Sequence, residues 1–222
     1  MLKKKNFQNI TSLLFLAFTL LTAMPCQGKL LREMWISMPD SLSLLLNKNM
    51  RLEMVELQDM KVKSEVNNAL GEVSVLDTLT ADFAQVRLGK ACTWQMKLLP
   101  LEQQDSVLCL VRTFAGPEKE SDVLFFDQQW QPLETDRFFP TGALGGMEDR
   151  LLLRPDTMTE ARFAELKAMV EPVMVAAVLF EHENAIVFRL ALPLLSTEDK
   201  EKLNAIKMQR KFNWNEGKFN ES

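Results

Sequence analysis

The sequence predicts a single α+β domain, in which a mainly antiparallel β-sheet packs against N-terminal helices and two later helices. The first observation is a run of strand-like segments between residues 73 and 133, broken at short intervals by turn residues. The second is a pair of long apolar segments within residues 173–192, joined by a polar turn. The third is the helical spacing of apolar residues before and after these strands. Together they favour a sheet of roughly six to nine strands with helices packed on it.

The segments at residues 92–98 and 106–114 form the clearest strand pair. Apolar side chains take every second position of the first segment, which places Cys92, Trp94, Met96 and Leu98 on one face. The second segment is apolar on both faces, with Val107, Cys109 and Val111 on one and Leu108, Leu110 and Phe114 on the other. A strand of this kind is central in its sheet and covered on both sides.

Two helices and two strands are predicted before this pair. Asp40 is suited to cap a helix that carries Leu42, Leu45 and Leu46. A second helix is predicted over residues 50–60, with a strand as the competing interpretation of the same residues. Strands are then predicted at residues 73–79 and 83–88.

A short hairpin and a connection follow the central pair. Residues 116–121 are predicted as a loop, and residues 123–126 and 130–133 as a hairpin-like unit. Pro132 cannot donate a ladder hydrogen bond, which places the last of these strands at a sheet edge. Residues 140–156 contain three glycines and are predicted as a flexible connection within the domain.

The C-terminal part predicts two helices, two long strands and a final hairpin. Thr157 and Glu160 have the spacing of a capping box, and Pro172 ends the helix that they open. Strands are predicted at residues 173–180 and 185–192. Ser196 is suited to cap the last helix, and the aromatic residues around Gly217 indicate a strand or hairpin.

Residues 1–28 have the composition of a signal peptide. Three lysines precede an apolar segment at residues 12–24, and small residues follow at Cys26 and Gly28. The apolar segment is too short to span a membrane, which needs roughly 20 residues. We expect cleavage after Gly28, which leaves residues 29–222 as the domain. The alternative is a lipoprotein attached through Cys26, for which Pro25 is a poor neighbour.

Net charge and cysteine content limit the classes of partner and the cysteine chemistry that we expect of this protein. Cleavage removes three lysines and no acid, so the formal net charge moves from −4 to −7. An exported acidic chain has no general attraction for nucleic acid. A hairpin closed by residues 100–105 places Cys109 opposite Met96 rather than Cys92, so we expect two free, buried thiols; a disulfide stays the alternative.

The motifs of common catalytic and cofactor sites are missing. His182 is the only histidine, which excludes a metal site with several histidine ligands. It lies in the polar turn at residues 181–184, where we expect a solvated hairpin tip. No nucleophile elbow, P-loop or dinucleotide fingerprint occurs. We therefore assign no catalytic, cofactor-binding or metal-binding residue and expect no cofactor; paired carboxylates carry no motif and stay a lesser alternative.

Several short blocks match a known family in order and spacing. They are Met38-Pro-Asp-Ser-Leu42, Leu76-Asp-Thr-Leu-Thr-Ala-Asp-Phe83, Met96-Lys-Leu-Leu-Pro100, Ser121-Asp-Val-Leu-Phe-Phe-Asp127 and Trp130-Gln-Pro-Leu133. The chain thereby resembles a family of exported proteins confined to Bacteroidales-type bacteria and known only as a domain of unknown function. The resemblance covers most of residues 31–135 and is looser at the tail.

The resemblance implies a Gram-negative cell and a periplasmic or surface location, and it transfers no catalytic residue. Exported proteins of that lineage are commonly O-glycosylated at Asp-Ser/Thr-apolar triplets. Four such triplets occur here, beginning at Asp40, Asp77, Asp105 and Asp156. Turn and cap chemistry is their alternative explanation.

These observations favour a non-enzymatic binding or interaction module of the cell envelope, with an envelope protein as its partner and no transmembrane segment in the mature chain. The alternative is a carrier of an apolar small molecule, held between the sheet and the methionine-rich N-terminal helices. An envelope hydrolase that uses two carboxylates is a third, weaker hypothesis.

The cleavage site can be tested by intact-mass measurement of the protein recovered from the cell envelope. We expect a chain that begins at Lys29, without a lipid adduct, because residues 1–28 carry the basic, apolar and small-residue regions of a cleaved signal. A full-length mass, or a diacylglyceryl adduct on Cys26, would contradict this expectation.

Overall fold

The computed structural model describes residues 29–102, 105–140, 144–170, 172–207 and 209–222, so the predicted signal peptide lies outside the described residues. The helices are α1 (Leu31–Ser37), α2 (Lys48–Asp59), α3 (Met147–Leu151), α4 (Glu160–Ala168) and α5 (Thr197–Leu203), with a 3₁₀ helix at Thr135–Phe138. The strands are β1 (Glu65–Asn67), β2 (Val73–Leu79), β3 (Phe83–Arg87), β4 (Cys92–Pro100), β5 (Ser106–Ala115), β6 (Lys119–Phe126), β7 (Pro132–Leu133), β8 (Met174–Leu179), β9 (Ala185–Ala191), β10 (Gln209–Asn215) and β11 (Lys218–Glu221). The α+β class is confirmed.

The strands form two antiparallel sheets rather than one. The larger sheet has the order β1 to β7, and the smaller sheet has the order β11-β10-β9-β8. Residue periodicity shows that a segment is a strand but not which sheet it joins, so the division could not be predicted from the pattern.

The central pair β4–β5 has the predicted faces and nearly the predicted register. Cys109 pairs with Lys97, one residue from the predicted Met96, and Cys92 pairs with Phe114. Both cysteines are free thiols. Apolar residues on one face of the pair join a core with α1 and α2: Trp94, Met96, Leu98, Leu108 and Leu110. Residues on the other face join a second core with the smaller sheet: Leu99, Val107, Cys109 and Val111. β5 is therefore covered on both sides, as predicted.

The N-terminal layer contains two helices, but the first one lies in a segment that was not predicted as a helix. α1 covers residues 31–37, whereas residues 40–46, predicted as a helix, form turns. The reason lies in Arg51 of α2, whose side chain is fully buried. Its guanidinium donates to the carbonyl oxygens of Trp35, Met38 and Leu46 and to the Asp40 carboxylate. These hydrogen bonds satisfy the carbonyl groups at the end of α1 and in the turns. The turns are therefore stable without the hydrogen bonds of a helix.

The edges of the larger sheet follow the prediction with one difference. Pro132 lies in β7, which is an edge strand. β6 begins at Lys119, inside the segment predicted as a loop, because residues 119–122 continue the ladder with β5. β7 pairs only with Phe125 and Phe126, so the first part of β6 extends beyond it.

The C-terminal half forms the smaller sheet and its helices. The predicted hairpin 173–192 is present as β8–β9, and Ser196 caps α5 by accepting from the Asp199 N–H. The tail forms the hairpin β10–β11, whose turn residues Glu216 and Gly217 have φ of 50° and 75°. Left-handed backbone at both central positions is typical of a two-residue hairpin turn, and glycine favours it.

The predicted connection at residues 140–156 contains regular structure in its described part. α3 lies within it, and Met147 and Leu151 are buried in the core between the sheets. α4 follows with Thr159 as its N-cap, rather than the predicted Thr157. The Thr159 side chain accepts from the Arg162 N–H and thus opens the helix two residues later.

The free energy of unfolding should depend strongly on Arg51. Replacing Arg51 by alanine leaves buried carbonyl groups unpaired and a cavity, so we expect a loss of ~3 kcal/mol or more in urea unfolding. Arg32 is the matched control, because its ion pair with Asp59 is exposed at the surface and its replacement by alanine should change little. Equal effects of the two substitutions would contradict the proposed role of the buried guanidinium.

A candidate binding groove at the free edge of β8

The smaller sheet lies across three strands of the larger sheet. At the start of β8, Val175 borders a cleft together with residues 121–124 of β6. At its end, the Leu179 N–H donates to Oε1 of Gln95 on β4, at 3.0 Å. Beyond that end, Nζ of Lys97 donates to the carbonyl oxygen of Glu181, at 2.6 Å. β8 therefore passes from β6 over β5 to β4.

One side of β8 has no strand partner. β8 is the last strand of its sheet and pairs with β9 alone. In an antiparallel ladder, residues that bond the neighbouring strand alternate with residues whose N–H and C=O point away. The Leu179 N–H points away from β9 to Gln95, so the backbone groups of Val175 and Ala177 point the same way. Ala177 and Leu179 are each only 2% exposed, so access to this side of β8 is limited to its start at the half-buried Val175.

The face of the larger sheet becomes more exposed beyond this free edge. Along β5, Cys109 and Val111 are fully buried, Thr113 is half-buried and Ala115 is exposed. β4 shows the same change from the buried Lys97 to the half-buried Gln95 and Thr93, and β6 shows it from Phe125 to Ser121. The smaller sheet thus ends at β8 and leaves part of this face open.

Uncharged polar residues form the open part. Thr93, Thr113 and Ser121 are paired across neighbouring strands and form a row, which we call the shelf. The Thr113 and Ser121 hydroxyl groups lie 2.9 Å apart. Next to the shelf, Gln95 donates to Gln85 while it accepts from β8. The free edge of β8 and the shelf form the two walls of a groove.

A cleft of about 510 Å³ lies at the β6 end of this groove. Its apolar lining comes from both sheets and from the segment around α3: Val123, Leu124, Leu144, Met147, Val175 and Phe188. Ser121, Asp122 and Glu148 provide its polar lining. A cleft of this size and lining is suited to an apolar group with a polar attachment.

A second cleft of about 480 Å³ adjoins the first. It lies between α3, α4 and the start of β8, where Leu152, Ala164, Val170 and Val173 are among its lining residues. Glu148 lines both clefts. Glu148 is therefore the residue that the linings of the two clefts share.

The groups with catalytic potential do not meet in the groove. His182 is exposed in the turn between β8 and β9, as predicted for a hairpin tip. The described residues contain no cluster of histidine, cysteine and acidic side chains able to hold a metal ion. Burial raises the pKa of the Cys92 thiol and, more strongly, that of Cys109, which disfavours the thiolate that a nucleophile needs.

The carboxyl groups give no support to the hydrolase hypothesis. Hydrogen bonds from Arg32, Lys200 and Ser196 lower the pKa of Asp59, Glu118 and Asp199, respectively. A general acid of a carboxylate pair needs a raised pKa instead. The three acids also lie in separate surface ion pairs or caps.

The interface between the N-terminal helices and the sheet is filled by side chains. Met34, Trp35, Met54 and Met96 are completely buried there. The small-molecule hypothesis therefore gains no support at its predicted location. The four Asp-Ser/Thr triplets also differ in setting, since Ser41 and Thr157 are exposed in turns whereas Thr78 and Ser106 are half-buried in strands.

Sequence reasoning missed the shelf, although its signal is present. Thr93 and Thr113 continue the face that carries Leu99, Cys109 and Val111, at positions where another apolar residue would continue the core. A change from apolar to hydroxyl side chains along one face of an otherwise apolar strand marks the place where its cover ends.

The fold and the groove define a class: a three-layer α+β protein in which the helices α1 and α2, a seven-stranded sheet and a four-stranded sheet form successive layers, with a groove where the smaller sheet ends. Residues 23–219 match the family described as "Protein of unknown function (DUF3256)", and the chain belongs to that family. The resemblance seen in the sequence blocks is confirmed at this level.

A solved structure has the same fold. It is the domain of an uncharacterized protein from Porphyromonas gingivalis W83, with a TM-score of 0.71 and 20% sequence identity over 86% of this chain and 98% of that chain. None of the curated proteins matches this chain. No helix in the described part of the chain is long and apolar enough to cross a membrane.

Thiol labelling can test the state of the two cysteines. Because burial raises both pKa values, little thiolate is present at pH 8, and we expect slow labelling of Cys92 and none of Cys109 in the native protein. In the chain 29–222, which lacks Cys26, denaturation should release two reactive thiols, and a Cys92→Ser variant should release one. Absence of reactive thiol after denaturation would show a disulfide instead.

Proposed function

We propose that this protein is an exported, non-enzymatic binding module that receives an extended segment of an envelope protein in the cleft at the start of β8. The observation that carries the proposal is the cleft of about 510 Å³, where the half-buried Val175 directs its backbone away from β9 beside the shelf. A peptide bound there would bond the Val175 backbone and lie against the shelf. Main-chain hydrogen bonds at Val175 and apolar contacts in the cleft would then supply the affinity.

The composition of β8 supports a functional edge. Edge strands are usually protected against pairing by charges, proline or short length. Here β1 carries Glu65, β7 contains Pro132 and β11 carries Lys218. The unpaired first part of β6 carries Lys119, Glu120 and Asp122. β8 has neither charge nor proline, and its half-buried start at Val175 is therefore suited to pairing.

Burial of the edge favours a short segment over a second copy of this chain. Two β8 strands paired about a two-fold axis would lie about 4.8 Å apart along their length. Ala177 and Leu179 are each only 2% exposed and would block such pairing, whereas a short peptide needs only the accessible start of β8.

The proposal of export is based on the sequence of residues 1–28. The proposal of a non-enzymatic function is based on the chemistry of the groove. The groove and its cleft are lined by backbone amides, hydroxyl groups, apolar side chains and the carboxylates of Asp122 and Glu148, and the described lining of the cleft includes no histidine or cysteine to act beside them. A location in the periplasm or at the cell surface is part of the same proposal.

A carrier of an apolar small molecule is the second candidate, with the cleft between the sheets as its location. Val175, Met147 and Phe188 give that cleft an apolar floor. Native mass spectrometry of freshly purified protein distinguishes the two candidates, because a retained small molecule would add its mass and a peptide site would leave the bare chain.

Peptide selection from a displayed library of short random peptides can test the groove. We expect bound peptides to perturb the amide NMR signal of Val175 and to slow its hydrogen exchange. Thr113→Lys should weaken binding at least about tenfold, because an added strand would bury the unpaired ammonium group.

Thr78→Lys is the matched control, since Thr78 is a half-exposed threonine of β2 outside the groove. It should leave binding unchanged. Selected peptides that perturb other amides, or that bind the Thr113→Lys variant as well as the unaltered protein, would show that the free edge of β8 is not the site.

A further inference from the structure

The residues that directly follow the predicted cleavage site are already fixed in the fold. Lys29 is half-buried, and its backbone N–H donates to Oε1 of Gln128 at 3.1 Å. Its Nζ donates to the carbonyl oxygen of Gln128 at 2.9 Å. Two residues later, Leu31 is completely buried, and its N–H donates to the carbonyl oxygen of Ala81. The bond between Gly28 and Lys29 is therefore followed by no free segment.

α1 begins at Leu31 and holds this segment against the larger sheet. Leu31, Met34 and Trp35 are each 0% exposed and belong to the core between the helices and the sheet. Burial of one large apolar side chain alone changes an equilibrium constant by about tenfold or more. Release of α1 from the sheet is therefore rare in the folded protein.

Two of the contacts that hold the segment come from much later in the chain. Residues 127–131 connect β6 to β7, and Gln128 of this turn bonds Lys29 across 99 positions in sequence. Trp130 of the same turn is buried, and its Nε1 donates to the carbonyl oxygen of Met34 at 3.1 Å, across 96 positions. The N-terminal segment therefore reaches its final position only after the β6–β7 turn has formed.

We infer that folding closes the cleavage site, so that cleavage after Gly28 must precede docking of α1 on the β6–β7 turn. A peptidase acts on an exposed, locally unfolded segment, and residues 29–31 provide none once α1 is docked. A chain that folds before it is cleaved would keep residues 1–28. This inference goes beyond peptide binding and rests only on the export that forms part of the proposed function.

Cleavage of the folded, full-length protein in detergent by purified signal peptidase can test the inference. The comparison is a variant with a flexible glycine–serine spacer of about eight residues between Gly28 and Lys29. The spacer leaves the small residues Cys26 and Gly28 in place before the bond. We expect the spacer variant to be cleaved at least about a hundredfold faster than the unaltered chain, because its cleavage bond is reached without release of α1.

Two substitutions in the β6–β7 turn form a matched pair. Gln128→Ala removes the side-chain acceptor of the Lys29 N–H, so it should raise the rate of cleavage of the folded chain about threefold or more. Gln129→Ala, at the exposed neighbouring position, should leave the rate unchanged.

The outcomes separate the inference from the export on which it rests. Cleavage of the folded, unaltered chain as fast as that of the spacer variant would overturn the inference and leave export intact. Equal rates for Gln128→Ala and Gln129→Ala would overturn the role of the β6–β7 turn. If neither the unaltered chain nor the spacer variant is cleaved after Gly28, the proposed export signal is wrong and the inference is wrong with it.

Discussion

The structure depends on one constraint, which is that β5 must be covered on both faces. Leu108 and Leu110 face one side and Cys109 and Val111 the other, and all are buried. Full burial of a large apolar side chain contributes about 1.5–3 kcal/mol, so leaving either face in water would remove much of the net stability of a domain. The N-terminal helices cover one face and the smaller sheet covers the other, which explains the three layers.

The groove exists because the smaller sheet, which covers the second face of β5, does not extend over the whole of that face. The smaller sheet has four strands and ends at β8, whereas the β-strands beneath continue to Thr93, Thr113 and Ser121. Lys97 and Gln95 fix the place of that ending, because they bond the backbone of Glu181 and Leu179. The position of the free edge is therefore set by two side chains of β4 rather than by the loops around it.

Local pattern predicted most strands but not the relations between them. β2 and the hairpins β4–β5 and β8–β9 were predicted nearly to their ends, since alternation and turn residues are local signals. α1 was missed because Leu31, Met34 and Trp35 give helical spacing over little more than one turn. The turns at residues 40–46 depend on Arg51, which lies on the next helix, and the groove depends on where β8 crosses β4. Contacts of this kind are not visible in the periodicity of either segment.

The hydroxyl groups of the shelf meet two requirements of the proposed function, a stable exposed sheet face and access for a peptide. Apolar residues at these positions would expose a sheet face that aggregates. Charged residues would lose their hydration without gaining a partner when a peptide backbone covered the groove. Threonine keeps a high preference for the β conformation, and its hydroxyl can donate or accept. Thr113 and Ser121 already satisfy each other, so the shelf is stable when empty. In the proposed peptide complex such a surface would accept many side chains, so discrimination between ligands would come from the cleft beside Val175.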